Sequence, residues 1–246
     1  MNQTICIFGN SHISAPATSQ LNAVFREQGD NIYYWGLAGS SFPKFTYENG
    51  KIISPYPHHT LNLSQWCEHL DINIVDIIVC YGFHISPSTQ ARNIAHIMQK
   101  TNGISSEMRR EFVAELMNMW WQQQAARLLI EGIVGDFPNK RLMFYAHPHV
   151  AEHSTFFQSI GDDNLIRSCL FDVHSFLRMR MDDLGVEYCS QPTETVANEI
   201  YTASRYSGGG IKLGTNNEFH GPEDDRHMNT LYGDCILGDL ADRIYS

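Results

Sequence analysis

Near its start the chain reads Thr4-Ile5-Cys6-Ile7-Phe8-Gly9-Asn10-Ser11-His12, an apolar run that gives way at once to polar residues. The apolar half is short and contains β-branched side chains, which predicts a buried strand. The polar half then follows at the point where the strand must end. Because ligands bind at the carboxyl ends of strands in an open parallel sheet, we expect Ser11 to lie in a functional loop.

The same alternation of short apolar runs and helical patterns continues along the chain. Further strands are predicted at Asn31-Trp35, Ile74-Tyr81, Arg141-Ala146 and Val186-Cys189. Helical patterns occupy Ser14-Gln28, Ser88-Gln99, Ser105-Gly132, Leu165-Leu184 and Met228-Ile244. Strands that alternate with helices are typical of a parallel sheet covered on both faces. The sequence therefore predicts an α/β fold with three α/β/α layers and a five-stranded parallel sheet.

Length and composition favour one globular domain over residues 1–246. Hydrophobic residues make up 43% of the chain and charged residues 18%, and the net charge is -10. This charge gives no basic surface for nucleic acid or an anionic membrane. No apolar run approaches a membrane span, and the first residues do not resemble a signal peptide. The six cysteines are scattered without a C-x-x-C pair, which favours reduced thiols and a cytoplasmic location.

A second polar motif, Asp224-Asp225-Arg226-His227, lies near the other end of the chain, before the last helical pattern. A serine becomes a nucleophile when a base takes its proton, and the base is in turn oriented by an acid. If the fold brings the two ends together, Ser11, His227 and Asp224 have the composition of a catalytic triad.

These motifs resemble those of the SGNH (GDSL-like) hydrolases and acyltransferases. Gly9-Asn10-Ser11 is similar to the first block of that family, which is usually Gly-Asp-Ser and carries the nucleophile. Trp35-Gly36-Leu37-Ala38-Gly39-Ser40 resembles the second block, and Gly82-Phe83-His84 stands where the third block has Gly-x-Asn. Asp224-x-x-His227 is similar to the last block, just before the C-terminal helix.

The resemblance implies the flavodoxin-like strand order 2-1-3-4-5 and acyl-ester chemistry without a cofactor. Ser11 would be the nucleophile, His227 the general base and Asp224 the acid that orients it. The backbone N–H groups of Ser11 and Gly39 would hold the oxyanion together with His84. Asn10 replaces an aspartate that holds the turn, and His84 replaces an asparagine that donates to the oxyanion; an imidazole N–H can also donate there.

Each assignment has a plainer alternative. Ser11 could cap the helix that follows it, and His227 could be a surface histidine at a helix start. Asp225 competes with Asp224 as the orienting acid, although the family spacing favours Asp224. Gly36 is the rival of Gly39, and His84 could simply line a pocket.

The histidines also raise the question of a metal. The chain has 12 of them, including His147, His149, His153 and the pair His58-His59. Their spacing matches no zinc-ligand pattern, so we expect a polar loop near the substrate and no metal.

The predicted function is a serine esterase that cleaves an acyl ester, such as an acetyl ester, of a small molecule or carbohydrate. Two alternatives remain open: an O-acyltransferase of the same fold that acts on a carbohydrate, and a non-catalytic protein that binds a carbohydrate or another ligand. The segments Phe42-His59, a predicted loop or hairpin, and Ser190-Pro222, a long excursion, are expected to line the pocket.

Overall fold

A parallel five-stranded sheet forms the centre of the computed structural model, which describes residues 2–36, 44–54, 69–101, 105–212, 218–221 and 223–246. In chain order the strands of these residues are β1 (Thr4–Gly9), β2 (Asn31–Gly36), β3 (Thr46–Glu48), β4 (Lys51–Ile53), β5 (His69–Asp71), β6 (Ile77–Gly82), β7 (Arg141–Ala146), β8 (Glu187–Cys189), β9 (Val196–Ala197) and β10 (Tyr201–Thr202). The central sheet has the order β2-β1-β6-β7-β8 with every neighbouring pair parallel. Numbered among themselves, these five strands have the order 2-1-3-4-5, so the predicted fold class and strand order are confirmed.

The central strands are apolar on both faces because the sheet is covered on both sides. In β1, Cys6 and Phe8 face one hydrophobic core, whereas Ile5 and Ile7 face the other. β6 begins at Ile77 and not at Ile74, because Ile72–Ile74 forms a 3-10 turn. The Asp71 side chain accepts the backbone N–H of Asn73 and caps that turn.

Helices cover both faces of the sheet: α1 (Ser14–Ala17), α2 (Asn22–Glu27), α3 (Pro87–Lys100), α4 (Ser106–Gln122), α5 (Ala125–Asp136), α6 (Asp163–Asp183) and α7 (Thr230–Tyr245). No helix in the described part of the chain is both long enough and apolar enough to cross a membrane.

The prediction of one helix over Ser14-Gln28 was wrong, because polar side chains end α1 early. The Thr18 hydroxyl donates to the carbonyls of Ser14 and Ala15, and Asn22 Nδ2 donates to the carbonyl of Ser19 at 2.8 Å. Side chains that bond to nearby backbone in this way compete with a continuing helix.

The prediction of one helix over Ser105-Gly132 was also wrong, because the apolar stripe changes phase at Gln123 and Gln124. The buried residues of α4 are Val113, Met117 and Trp121, whereas those of α5 are Ala126, Leu129, Ile130 and Ile133. An uninterrupted helix could not keep both stripes on one face, since residues three or four apart share a face. The break between α4 and α5 lets the apolar stripe of α5 face the core.

Two smaller sheets flank the central one. β3 and β4 form an antiparallel hairpin, to which β5 adds a third strand. The hairpin lies within the segment Phe42-His59, of which residues 42–43 and 55–59 fall outside the described residues. β9 and β10 pair antiparallel within the excursion Ser190-Pro222.

α7 packs against α1 and so brings the two ends of the chain together. The point of closest approach is Gly233, where an added Cβ would lie 2.1 Å from the carbonyl oxygen of Ala15. Beside it, Ser19 Oγ donates to Asp234 at 2.5 Å. The packing of α7 against α1 holds the segment before α7 next to the loop after β1.

We therefore expect Gly233→Ala to lower the free energy of unfolding by roughly 1–3 kcal/mol, because the α1 backbone must move to admit a methyl group. The matched control is Gly238→Ala in the same helix, where an added Cβ meets nothing within 4 Å. That variant should be stabilised by up to about 1 kcal/mol through helix propensity. Urea denaturation measures both; equal effects would mean that the α1–α7 contact is not tight.

Candidate active site

A continuous chain of hydrogen bonds joins Ser11, His227 and Asp224. Ser11 Oγ lies 2.9 Å from His227 Nε2, and His227 Nδ1 lies 2.8 Å from Asp224 Oδ2. All three residues are partly buried. Ser11 is separated from His227 by 216 positions in the sequence, so the tertiary fold, and not local structure, brings them together.

Asn10 shapes the turn on which Ser11 sits. Its Oδ1 accepts the backbone N–H of His12 at 3.2 Å and so caps the 3-10 turn Ser11–Ile13. The capping role considered for Ser11 therefore belongs to Asn10, which leaves the Ser11 hydroxyl available for His227. Asn10 Nδ2 also lies 3.1 Å from His147 Nε2, which ties the turn after β1 to the end of β7.

The two neighbouring aspartates have different contacts. Asp224 Oδ1 accepts the backbone N–H groups of Arg226 and His227, both at 2.9 Å, while Oδ2 accepts the His227 side chain. The Asp225 carboxylate instead accepts the Ser154 hydroxyl, and the Asp225 carbonyl accepts the backbone N–H of Ala151 at 2.8 Å. Asp224 is thus the aspartate beside the imidazole, and Asp225 fastens the segment to the loop after β7.

Desolvation alone would raise the pKa of Asp224, but hydrogen bonds reverse its effect. The backbone N–H groups of His227 and Arg226, followed by the His227 side chain, favour the ionised carboxyl and hold the pKa of Asp224 below its usual value. Asp224 therefore keeps a full negative charge next to His227 at neutral pH.

Three more histidine rings surround His227. The His220 ring stacks on it at a centroid distance of 3.7 Å and an interplanar angle of 8°. The His12 ring lies parallel on it at 5.0 Å, and the His147 ring meets His12 edge-on at 3.7 Å. No role was predicted for His220 or His12, although the position of His12 directly after Ser11 was a signal. His147 directly follows the predicted strand Arg141-Ala146.

Burial keeps several of these rings neutral. Desolvation, followed by the positive charge that His147 and His227 can carry, lowers the pKa of His12 well below its usual value. Desolvation, followed by His84 and His227, lowers the pKa of His147 to about 3. A neutral His147 can accept the Asn10 N–H at Nε2, as the observed contact requires.

The buried histidines predict a loss of stability in mild acid. Desolvation, followed by the charge of a nearby histidine or arginine, lowers the pKa of His149 to about 3 and that of His174 to about 4. Below the unfolded value of about 6.5 the unfolded chain binds protons that the folded chain does not, so the free energy of unfolding falls as the pH falls. Urea midpoints measured from about pH 7 to about pH 5 should decrease.

The matched variants are His149→Gln and His153→Gln, because His149 is buried and His153 is exposed. The pH dependence of the urea midpoint should become shallower in His149→Gln and stay unchanged in His153→Gln. An equally steep decrease in both variants would show that His149 does not contribute to it.

Only some of the residues predicted to bind the oxyanion lie within the described part of the chain. Gly39 lies outside the described residues, whereas its rival Gly36 ends β2 opposite Gly9. His84 is exposed after β6, in a turn where Gly82, Phe83 and His84 have φ angles of 79°, 45° and 57°. Phe83 anchors this left-handed turn in the core, edge-on to Phe8 at 4.7 Å. The His84 ring lies 6.5 Å from that of His147.

One group of described residues has potential metal ligands close together. The ligand atoms of His220, Asp224 and His227 lie within 4.8 Å of one another. Both histidines, however, place Nδ1 within 2.9 Å of Asp224 Oδ2, which is the distance of a direct N–H···O contact. A metal would have to displace these contacts. His147 bonds to Asn10 and His153 is exposed, while His58 and His59 lie outside the described residues.

Comparison with known proteins reveals similar structures but no similar sequence. No model of a protein family matches the sequence, and no curated protein matches it significantly. The chain is similar in structure to a protein from Streptococcus pneumoniae provisionally described as a platelet activating factor, with a TM-score of 0.51 and 14% identity over 100% of this chain and 85% of that chain.

It is also similar to phospholipase A1 from Streptomyces albidoflavus, with a TM-score of 0.47 and 11% identity over 98% of this chain and 99% of that chain. A third similar structure is an extracellular lipase from Streptomyces rimosus, with a TM-score of 0.45 and 10% identity over 97% and 99% of the two chains. The likeness to the Streptococcus protein shows the shared α/β/α fold. The chemistry of the site has to be argued from its residues.

Proposed function

We propose that the chain is a serine ester hydrolase of the SGNH type, with Ser11 as nucleophile, His227 as general base and Asp224 as orienting acid. The observation that carries this proposal is the unbroken hydrogen-bonded chain from Ser11 Oγ through both nitrogens of His227 to Asp224 Oδ2. The Nδ1–H bond to an ionised carboxylate leaves Nε2 of a neutral imidazole free to accept the serine proton.

In the proposed reaction Ser11 Oγ forms a bond to the ester carbonyl carbon while its proton passes to His227 Nε2. The tetrahedral intermediate collapses as the bond to the alcohol oxygen breaks, and His227 returns the proton to that oxygen. Water, deprotonated by the same nitrogen, then attacks the acyl carbon; the bond from this carbon to Ser11 Oγ breaks as His227 returns the proton to Ser11 Oγ, and the acid leaves. Asp224 stabilises the imidazolium present between these transfers, so the residues suffice without a cofactor.

The proposed oxyanion donors are the backbone N–H groups of Ser11 and Gly39 and the imidazole of His84. Support for His84 comes from its turn, which projects it at the same edge of the sheet as Ser11, and from its proximity to His147. The support for Gly39 is the sequence motif alone. One such donor is worth about 3 kcal/mol in the transition state.

The proposed substrate is an acyl ester of a small molecule or a carbohydrate. The test is hydrolysis of p-nitrophenyl esters of increasing acyl length, first alone and then with a sugar as competing acceptor. We expect release of p-nitrophenol well above that of Ser11→Ala, with the acyl group recovered as free acid. Recovery of the acyl group on the sugar would instead favour the acyltransferase. No release from any ester would favour the binding protein.

A further inference from the structure

The carboxylate that would orient His227 also contacts a second histidine. His220 Nδ1 lies 2.9 Å from Asp224 Oδ2, the same oxygen that His227 Nδ1 contacts at 2.8 Å. The His220 ring is stacked face to face on the His227 ring at 3.7 Å. A serine, a base and an acid need no second histidine, so His220 is unexplained by the proposed reaction.

Backbone contacts hold His220 in this place. Its backbone N–H donates to the carbonyl of Gly210 at 2.7 Å. The preceding residue, Phe219, pairs with Ile211 in an isolated antiparallel β-bridge. From the other side, the backbone N–H of Asp224 donates to the carbonyl of Gly221 at 3.0 Å. The His220 side chain is only 16% exposed. The ring is therefore directed at Asp224 and His227 by the surrounding chain.

We propose that His220 is a positioning residue that draws on the negative charge of Asp224, so that His227 holds its proton less tightly and remains a base in mildly acidic solution. This inference rests on the proposed hydrolytic function. Nδ1 of each histidine lies within 2.9 Å of the same carboxylate oxygen, and a polar N–H group beside that oxygen reduces the negative charge that it offers to His227. The stacked ring also covers one face of the imidazole and limits access of water to it.

The surroundings favour a neutral His220. Among the described residues its buried Nε2 has no hydrogen-bond partner, so a second ring proton would find no acceptor there. Desolvation first, then the charge of His227, lowers the pKa of His220, although Asp224 acts in the opposite direction. Lys212 also faces it and opposes a further positive charge. On the far side of His227 stands His12, whose pKa is lowered as well.

The test compares His220→Phe with His220→Asn. Phenylalanine keeps a flat ring for stacking but removes the donor, whereas the asparagine amide N–H can take the place of Nδ1–H. We expect the acid limb of the kcat/KM profile to move to higher pH in His220→Phe, by on the order of half a pH unit. In His220→Asn the limb should stay near its original position. If His220→Phe does not fold, His220→Ala serves, because it too lacks the donor.

A second readout does not require activity. NMR titration of ¹³C-histidine-labelled protein follows the signal of the His227 ring, which is assigned by its absence in His227→Gln. The midpoint of this titration should move in the same direction as the acid limb of the kcat/KM profile. If no variant hydrolyses esters but this midpoint moves, His220 acts as proposed and the hydrolytic function fails. If hydrolysis is present and neither limb nor midpoint moves in His220→Phe, the inference about His220 is overturned and the function stands. Equal shifts in His220→Phe and His220→Asn would overturn it too, because they would reveal a purely structural role.

Discussion

Ser11→Ala is expected to lower kcat for ester hydrolysis by roughly 10⁴- to 10⁶-fold, the loss typical of removing a nucleophile that acts together with its base. The hydroxyl is the atom to which the acyl group would be attached, and no other described hydroxyl contacts His227 Nε2. The fold should survive, because Ser11 is only partly buried and Asn10 caps the turn. Initial rates with a short p-nitrophenyl ester, together with circular dichroism, measure both effects.

The matched control is Ser19→Ala, eight positions further along the chain. The Ser19 hydroxyl donates to the Asp234 carboxylate and not to a histidine, so it has no base to activate it. We expect this variant to keep kcat within a few-fold of the original protein. Turnover by Ser11→Ala at the level of Ser19→Ala would remove Ser11 from the mechanism.

Asp224→Asn is expected to lower kcat by about 10⁴-fold, as when an orienting acid becomes an amide in a serine triad. An amide N–H that faces His227 Nδ1 would favour the tautomer with the proton on Nε2, the nitrogen that must accept the serine proton. The charge that stabilises the imidazolium would also be lost. The substitution preserves shape, so the expected change is in kcat far more than in KM.

The neighbouring residue supplies the control for this prediction. Asp225→Asn changes the same charge one position away, but Asp225 contacts Ser154 and not His227. We expect a loss of some stability and a kcat within about ten-fold of the original, because the imidazole keeps its partner. Equal loss of kcat in both variants would point to the overall negative charge of the segment and not to orientation by Asp224.

Most of the fold could be predicted from the sequence because the inner strands of the central sheet, β1, β6 and β7, are buried on both faces. Such strands appear as short apolar runs, and Thr4-Phe8 and Arg141-Ala146 differ by at most one residue from the strands observed. The helix breaks could not be predicted as readily. They depend on side-chain bonds of Thr18 and Asn22 and on the tertiary contacts that bury Ala126 while leaving Leu128 exposed.

The candidate site also has residues that the sequence could predict and one that it could not. Ser11, Asp224 and His227 lie in short motifs beside a predicted strand and a predicted helix, so the sequence indicated that they could meet. His220 has no such context, because its approach to Asp224 depends on pairing within a long excursion. The choice of Asp224 over Asp225 came from the family spacing, and the distances to His227 agree with it. The roles of these residues remain predictions.

The most direct measurement is covalent labelling with a fluorophosphonate, followed by mass spectrometry of the peptides. This reagent reacts with a serine hydroxyl whose proton an adjacent base can take, so it reports an activated nucleophile without knowledge of the natural ester. We expect one phosphonyl adduct, located on Ser11, retained in Ser19→Ala and lost in Ser11→Ala and His227→Gln. No adduct on a folded protein, or an adduct on another serine, would contradict it.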